Sequence, residues 1–459
     1  MKGIDVIGFI SANCGLGAAA RNTVRLLTAT EREVAIVDII LSNNRSRQDH
    51  SFDHLIAPED APLSHDIRVF HLNPPVIGQI LEKKPSFSGA VPALNVAVPF
   101  WELPVLPDGW IRELQAMDCI LCPSRFIEQA VANTPMDPAP GVRYFPQIAF
   151  LPERHRPDRV RFGLPEEGVC FVMSFEMASD MERKNPWGVI DAFNKAFTQD
   201  ENARLVIKLN TTIENAGLNK ARERLGAYAA ANDHIIIIDK SLPYEDVISL
   251  YESCDVYVSL HRSEGLGLGL METMLLGKPV IATAWSGNMD FMSDVNACLV
   301  GYRFVPVLSP IYRRLIGNKS AQWADPDIGE AAWWMRRLHR EPGLRAGKGE
   351  QARHAMQRRA QECRITDILA LLEELHARKS MVMEGKGGSS CSRRIAAVQP
   401  VTDHAALFST VSQLIKGNDI AGALALYDRS RTLLYETPEL VRFDGLMLQL
   451  RERATASEK

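Results

Sequence analysis

Two glutamates, Glu264 and Glu272, stand eight residues apart around glycines at 265, 267 and 269. Carboxylates accept hydrogen bonds in pairs, which suits neighbouring hydroxyls. The glycines let the backbone turn sharply and approach a ligand closely. Even a fully helical path would put the two carboxylates about 12 Å apart, roughly the span from a sugar to the ribose of the nucleotide that carries it. A helix follows the turn, and its first amides are suited to a phosphate. Glycine-rich turns before helices are common, so this loop needs its context to mean anything.

That context is a chain of alternating strands and helices. In the first third, strands are expected at 4–10, 33–40, 67–72, 94–99 and 118–122, with a turn at Gly15 to Gly17 and a helix over 18–27. A proline-rich stretch at 135–141 and a linker over 145–157 end this half. The alternation restarts at 169–175 and continues through strands at 204–209, 235–239, 255–260 and 279–283. Short apolar strands separated by helices predict parallel sheets covered on both faces. The fold class expected is α/β, two Rossmann-like doubly wound domains with a cleft between them and a small C-terminal helical appendage. Residues 1–150 form the first domain and 160–350 the second, with a closing helical segment at 351–380, a flexible linker at 381–400 and a helical tail at 401–459. Ligands of such sheets bind at the carboxyl ends of the strands.

Composition narrows the partners. With 459 residues and a net charge of −4, the chain has no general attraction for nucleic acid or anionic membrane, which leaves room for a local basic patch. Asp5 interrupts the first apolar run, which reads as a buried strand and not as a secretory signal. No run is long and apolar enough to span a bilayer. A cytoplasmic location, with peripheral contact at the inner membrane face, is the expectation. The C-x-x-C at Cys119 and Cys122 lies in an apolar run and reads as a buried strand, not a metal or redox pair. The single D-x-D, Asp325 to Asp327, precedes a helix and reads as its cap.

Residues 264–272, E-G-L-G-L-G-L-M-E, resemble the E-x7-E element of the retaining GT-B glycosyltransferases, the group often called group one or family four. Residues 277–283 (G-K-P-V-I-A-T) resemble the strand that follows it there, and 286–290 (S-G-N-M-D) its donor-side loop. The similarity extends in order to 183–186, 190–193, 101–104, 122–126 and 15–17, covering about residues 4 to 378. It implies that Glu264 contacts hydroxyls of the transferred sugar and Glu272 holds the ribose, with Gly265, Leu266 and Gly267 along the donor. Lys184 would neutralise the departing diphosphate. An arginine that the family places about five residues before this lysine, at the end of the preceding strand, is missing; Ser174 to Glu176 end that strand here and a longer loop follows, with Arg183 as substitute and Lys208 as a second candidate cation. His71, ending its strand, would lie beside the donor sugar, and Gly15 and Gly17 would form the first loop.

The activity implied is transfer, with retention and without metal, from a nucleoside-diphosphate sugar to a glycan or lipid-linked glycan in surface polysaccharide assembly. No cofactor beyond the sugar nucleotide is expected, and the tail is a candidate partner-binding element. Three rivals share the fold pattern. An NAD-dependent oxidoreductase would use Gly15 and Gly17 with Asp38 on the ribose, though four residues separate the first strand from Gly15. A sugar-nucleotide epimerase or phosphorylase and a non-catalytic scaffold working through its tail are the others.

Overall fold

The computed structural model describes residues 3–40, 48–58, 63, 65–83, 93–198, 201–210 and 216–383, and in the tail 409, 411–413 and 426–427. Two six-stranded parallel sheets dominate. The first runs β2-β1-β3-β4-β5-β6, built from β1 (Gly3–Gly8), β2 (Glu33–Asp38), β3 (Ile67–His71), β4 (Leu94–Ala97), β5 (Cys119–Cys122) and β6 (Gly141–Tyr144). The second runs β12-β11-β10-β7-β8-β9, from β7 (Val169–Glu176), β8 (Ala203–Asn210), β9 (Ile235–Asp239), β10 (Val256–Ser259), β11 (Val280–Thr283) and β12 (Cys298–Val300). Its order reverses between β7 and β10, which leaves a crevice at their carboxyl ends.

The strands are apolar on both sides because helices cover both faces. β1 and β3 are buried at every position. Each sheet separates two apolar clusters: Phe171, Phe193 and Met335 lie on one face of the second sheet, with Tyr251, Tyr257 and Met274 on the other. β5 carries the C-x-x-C and is wholly buried. Burial pushes the Cys119 thiol up to about 12 and raises Cys122 well above the ordinary thiol range, which makes both inert.

Several local expectations change. The first helix begins at Gly15, not at 18, and runs to Thr28, so Gly15 to Gly17 is its first turn. Cys14 caps it, its Sγ accepting from the Gly17 N–H at 3.4 Å. Gly17 lies so close to the preceding turn that a Cβ would sit 2.4 Å from the Ala12 carbonyl oxygen and 2.6 Å from that of Phe9. The stretch before the linker contains β6, too short and too near the prolines to stand out. The helix expected from Ile328 to Lys379, interrupted near Pro342 and Gly343, does break there and breaks again before Ile365, giving Ile328–Arg340, Pro342–Glu362 and Ile365–Met383. An antiparallel hairpin of β13 (Tyr302–Pro306) and β14 (Gln322–Pro326) was not apparent from periodicity, because both strands mix polar and apolar residues, are partly exposed and end in proline. Asp327 does cap the helix after it, accepting from the Gly329 N–H at 2.7 Å and the Glu330 N–H at 3.0 Å.

The helix Ile365–Met383 returns to the first sheet, where Leu369 and Leu372 join the cluster of Ile4, Val69 and Val96. Lys379 pairs there with Asp118 at 2.7 Å. The proposed linker at 381–400 lies outside the described residues apart from the helix end at 381–383. Residues 387–459 form a second compact unit, in which Val411, Leu426 and Tyr427 are buried. No helix among the described residues is long and apolar enough to cross a membrane.

Candidate active site

One cleft of about 380 Å³ lies between the two sheets. Its walls come from the first turn of the helix Gly15–Thr28, the ends of β7, β8 and β10, and the glycine-rich loop after β10. Of the residues singled out by sequence, Gly15, Arg183, Lys184, Lys208, Glu264, Gly265, Leu266, Gly267 and Glu272 all line it. Gly17 and His71 do not.

The sugar-side carboxylate is held by two cations. Lys184 Nζ donates to Glu264 Oε1, and Arg183 stands 3.1 Å from Oε2. Both cations come from the short helix Met181–Lys184, capped by Asp180, which accepts from the Glu182 N–H at 2.8 Å. Burial opposes ionisation of Glu264, but Lys184 and Arg183 outweigh it and hold its carboxyl down at about 2. Burial draws Lys184 below the ordinary lysine range, and Glu264 pulls it back. The Glu264 backbone is clamped as well: its N–H donates to Ser286 Oγ at 2.7 Å, and its carbonyl accepts from the Gly287 N–H at 2.9 Å.

Arg183 is a support more than a free cation. It is buried, donates to the Ser263 carbonyl at 2.9 Å and the Ser179 carbonyl at 3.1 Å, and lies 3.7 Å from Glu102. Lys208 differs. It reaches the cleft from β8, and its amine makes no hydrogen bond among the described residues. Burial lowers it to about 8, against the pull of Glu176 and Asp239. Glu176 itself lines the cleft at the strand end where the resemblance expects an arginine.

Glu272 lies on the helix Leu268–Leu275, which Gly267 opens in left-handed backbone at φ 94°. It is buried, and Tyr244 OH lies 3.0 Å from its Oε1. Burial raises its carboxyl to about 7, with Tyr244 and Arg21 pulling the other way. Arg21 was not singled out by sequence. It crosses from the first helix, donating to the carbonyls of Ile10 at 2.7 Å and Ala12 at 3.0 Å, with Asp49 at 3.0 Å. Its one sequence signal is a position six residues beyond Gly15, on the turn below. Tyr244 and Glu102 were missed too. Glu102 sits inside the quoted segment 101–104 but has no spacing that marks it.

His71 stands one layer behind the wall, its ring 6.3 Å from that of Phe100, which lines the cleft. It is fully buried, its Nε2 is 2.8 Å from Thr23 Oγ1, and burial lowers it to about 3, so it is neutral. Asp38 is also committed: it accepts from the Ser11 N–H at 3.1 Å and from the Ser11 hydroxyl. The ribose contact that a dinucleotide reading needs is therefore already occupied by protein.

The two halves meet closely beside the cleft. Ser124 Oγ donates to the Gly265 carbonyl at 2.5 Å, and the Ser263 hydroxyl to that of Glu102. A Cβ at Gly265 would lie 2.7 Å from the Trp101 carbonyl oxygen, so only glycine permits this approach.

Two parallel doubly wound units facing a shared cleft define the GT-B architecture. Three solved structures share it: sucrose-phosphate synthase from Thermosynechococcus elongatus (TM-score 0.54, 15% identity, 85% of this chain and 100% of that one); HepE from Anabaena in complex with UDP and glucose (0.54, 10%, 84% and 100%); and alpha,alpha-trehalose 6-phosphate synthase from Burkholderia multivorans (0.53, 12%, 86% and 100%). Residues 172–304 match the family model for glycosyl transferases group 1. That segment holds the end of β7, all of β8 to β12, both cleft glutamates, Lys184 and Lys208. The family match and the GT-B fold support glycosyltransferase activity. No curated protein matches the sequence.

Proposed function

We propose that this protein is a retaining, metal-independent glycosyltransferase that moves a sugar from a nucleoside-diphosphate sugar to a glycan or lipid-linked glycan acceptor, in surface polysaccharide assembly at the cytoplasmic membrane face. The observation that carries the reading is that Glu264 and Glu272 line one cleft in different electrostatic settings. Glu264, ionised between two cations, presents acceptors for sugar hydroxyls. Glu272, beside Tyr244, presents its carboxylate to the ribose.

Retention is what the resemblance implies, and the same pairing bears on the route by which it would occur. A carboxylate neutralised by Lys184 and Arg183 is a weak nucleophile, so attack from the face of the departing diphosphate, which helps remove the acceptor proton, is the favoured path. Charge developing on the diphosphate is met by fixed cations. Lys208, with its donors uncommitted, and Lys184 supply them, and Arg183 acts by holding Glu264. His71 acts as a positioning residue behind Phe100, and Gly15 leaves the cleft mouth open.

A thermal-shift series with UDP-glucose, UDP-N-acetylglucosamine, GDP-mannose and NAD tests the reading. Stabilisation by at least one sugar nucleotide, and none by NAD, is the expected result. If no sugar nucleotide stabilises the protein while an authentic transferase responds under the same conditions, the reading fails. Product analysis by NMR then reports the anomeric configuration and separates transfer from epimerisation.

A further inference from the structure

The segment around the β13–β14 hairpin carries an excess of positive charge. Residues 295–324 hold Arg303, Arg313, Arg314 and Lys319 and no carboxylate, in a protein of net charge −4. Two of these cations are already paired, Arg303 with Asp325 at 3.1 Å and Lys319 with Asp108 at 2.6 Å. Arg313 and Arg314 are exposed and have no ion-pair partner among the described residues.

The helix Pro310–Ile316, between the two strands, is apolar on two sides. Tyr312 and Ile316 are buried in the first domain's core cluster, with the Tyr312 ring against Trp101 and Trp323. Ile311 and Leu315 are 43% and 40% exposed, and Leu308, just ahead, is 68% exposed. At 3.6 residues per turn, Ile311 and Leu315 share one side, and Arg314 projects away from the buried pair. A surface helix needs one apolar stripe to hold to its protein. The second, left in water beside two unpaired arginines, marks a contact surface.

We propose that Leu308, Ile311 and Leu315, with Arg313 and Arg314, dock this protein on an anionic lipid membrane. The aliphatic side chains enter the headgroup boundary and the arginines meet lipid phosphates. The lack of any carboxylate across 295–324 suits a uniformly negative surface. The same element reaches the cleft from its buried side. Tyr312 OH donates to Glu102 Oε2 at 2.9 Å, and the Ser309 hydroxyl donates to Asp180, the cap of the Arg183–Lys184 turn. A membrane held there brings the cleft rim to headgroup level, where an acceptor carried on a lipid is presented. The proposal deepens the membrane-face location given above, but the docking itself does not depend on the transfer reading.

Sedimentation of the full chain with vesicles of phosphatidylcholine, alone or mixed with phosphatidylglycerol, tests it. Binding is expected only to the mixed vesicles, and it weakens as salt is raised. The R313E/R314E and L308S/I311S/L315S variants should each bind at least about tenfold more weakly. Both should keep the wild-type melting temperature and its shift with sugar nucleotide, since none of these side chains touches the cleft. Absence of vesicle binding, equal binding to pure phosphatidylcholine, or unchanged binding of both variants overturns the proposal. Loss of the sugar-nucleotide shift in the wild type would instead overturn the transferase reading and leave the vesicle result standing.

Discussion

Glu264 and Lys184, 80 residues apart in sequence, meet as an ion pair in the cleft, and Arg183 holds the other carboxylate oxygen at 3.1 Å. The carboxylate proposed to read the sugar is thus oriented before any ligand arrives. Preorganisation of this kind lowers the cost of binding the transition state.

Glu264→Ala leaves Arg183 charged and buried without its nearest carboxylate, with Glu102 3.7 Å away. Removing one member of a buried pair costs about 3–5 kcal/mol, so the melting temperature should fall clearly. Glu264→Gln keeps the shape and should fall less. Both variants should lose transfer by about a hundredfold or more, through misplacement of the sugar. Because the Glu264 carboxyl is depressed to about 2 in the fold, its stabilising contribution is present above about 4.5 and is lost as pH falls toward about 2. Acid melts of wild type and Glu264→Gln should converge across that window.

Glu272 has the opposite sign. Its carboxyl is raised to about 7 by burial, so the folded state holds a proton that the unfolded chain releases. Ligand-free stability should therefore decline as pH rises from about 4.5 to about 7. Sugar-nucleotide affinity, which needs the ionised carboxylate, should rise through the upper end of that range. Calorimetric titration of UDP against pH measures this, and Glu272→Gln should flatten the profile. Tyr244→Phe removes a hydrogen bond that lowers Glu272 and should move the profile to higher pH.

Lys208 and Glu176 should act on the donor in opposite directions. Lys208→Ala removes a cation with uncommitted donors, and a bond to a charged group is worth about 1.5–3 kcal/mol, so UDP affinity should drop about tenfold or more. Glu176→Gln removes a negative charge from the cleft and should strengthen UDP binding several-fold. Equal affinity in both variants and wild type would place the diphosphate elsewhere.

Gly15 and Gly17 should part company when each is replaced by alanine. A Cβ at Gly17 runs into two backbone oxygens, while at Gly15 nothing lies within 4 Å. Gly17→Ala should lower the melting temperature by several degrees. Gly15→Ala should leave it unchanged or raise it, since alanine is favoured over glycine by up to about 1 kcal/mol inside a helix. Differential scanning calorimetry of the pair decides this.

Sequence alone determined the two parallel units, because strands buried on both faces must be continuously apolar and so announce themselves. It also determined the candidate pair Glu264 and Glu272, whose spacing is local. The three-residue β12 escaped because it is so short, and β6, β13 and β14 because they mix polar and apolar residues, lie at or beside prolines and are partly exposed. Tertiary structure decided what each polar group faces. Arg183 proved to be a brace for Glu264, Lys208 the uncommitted cation, and His71 a neutral residue behind the wall. Arg21, Tyr244 and Glu102 entered the site only through folding. Charge and hydrogen-bond partnership depend on distances across elements far apart in the chain, and no spacing within one element encodes them.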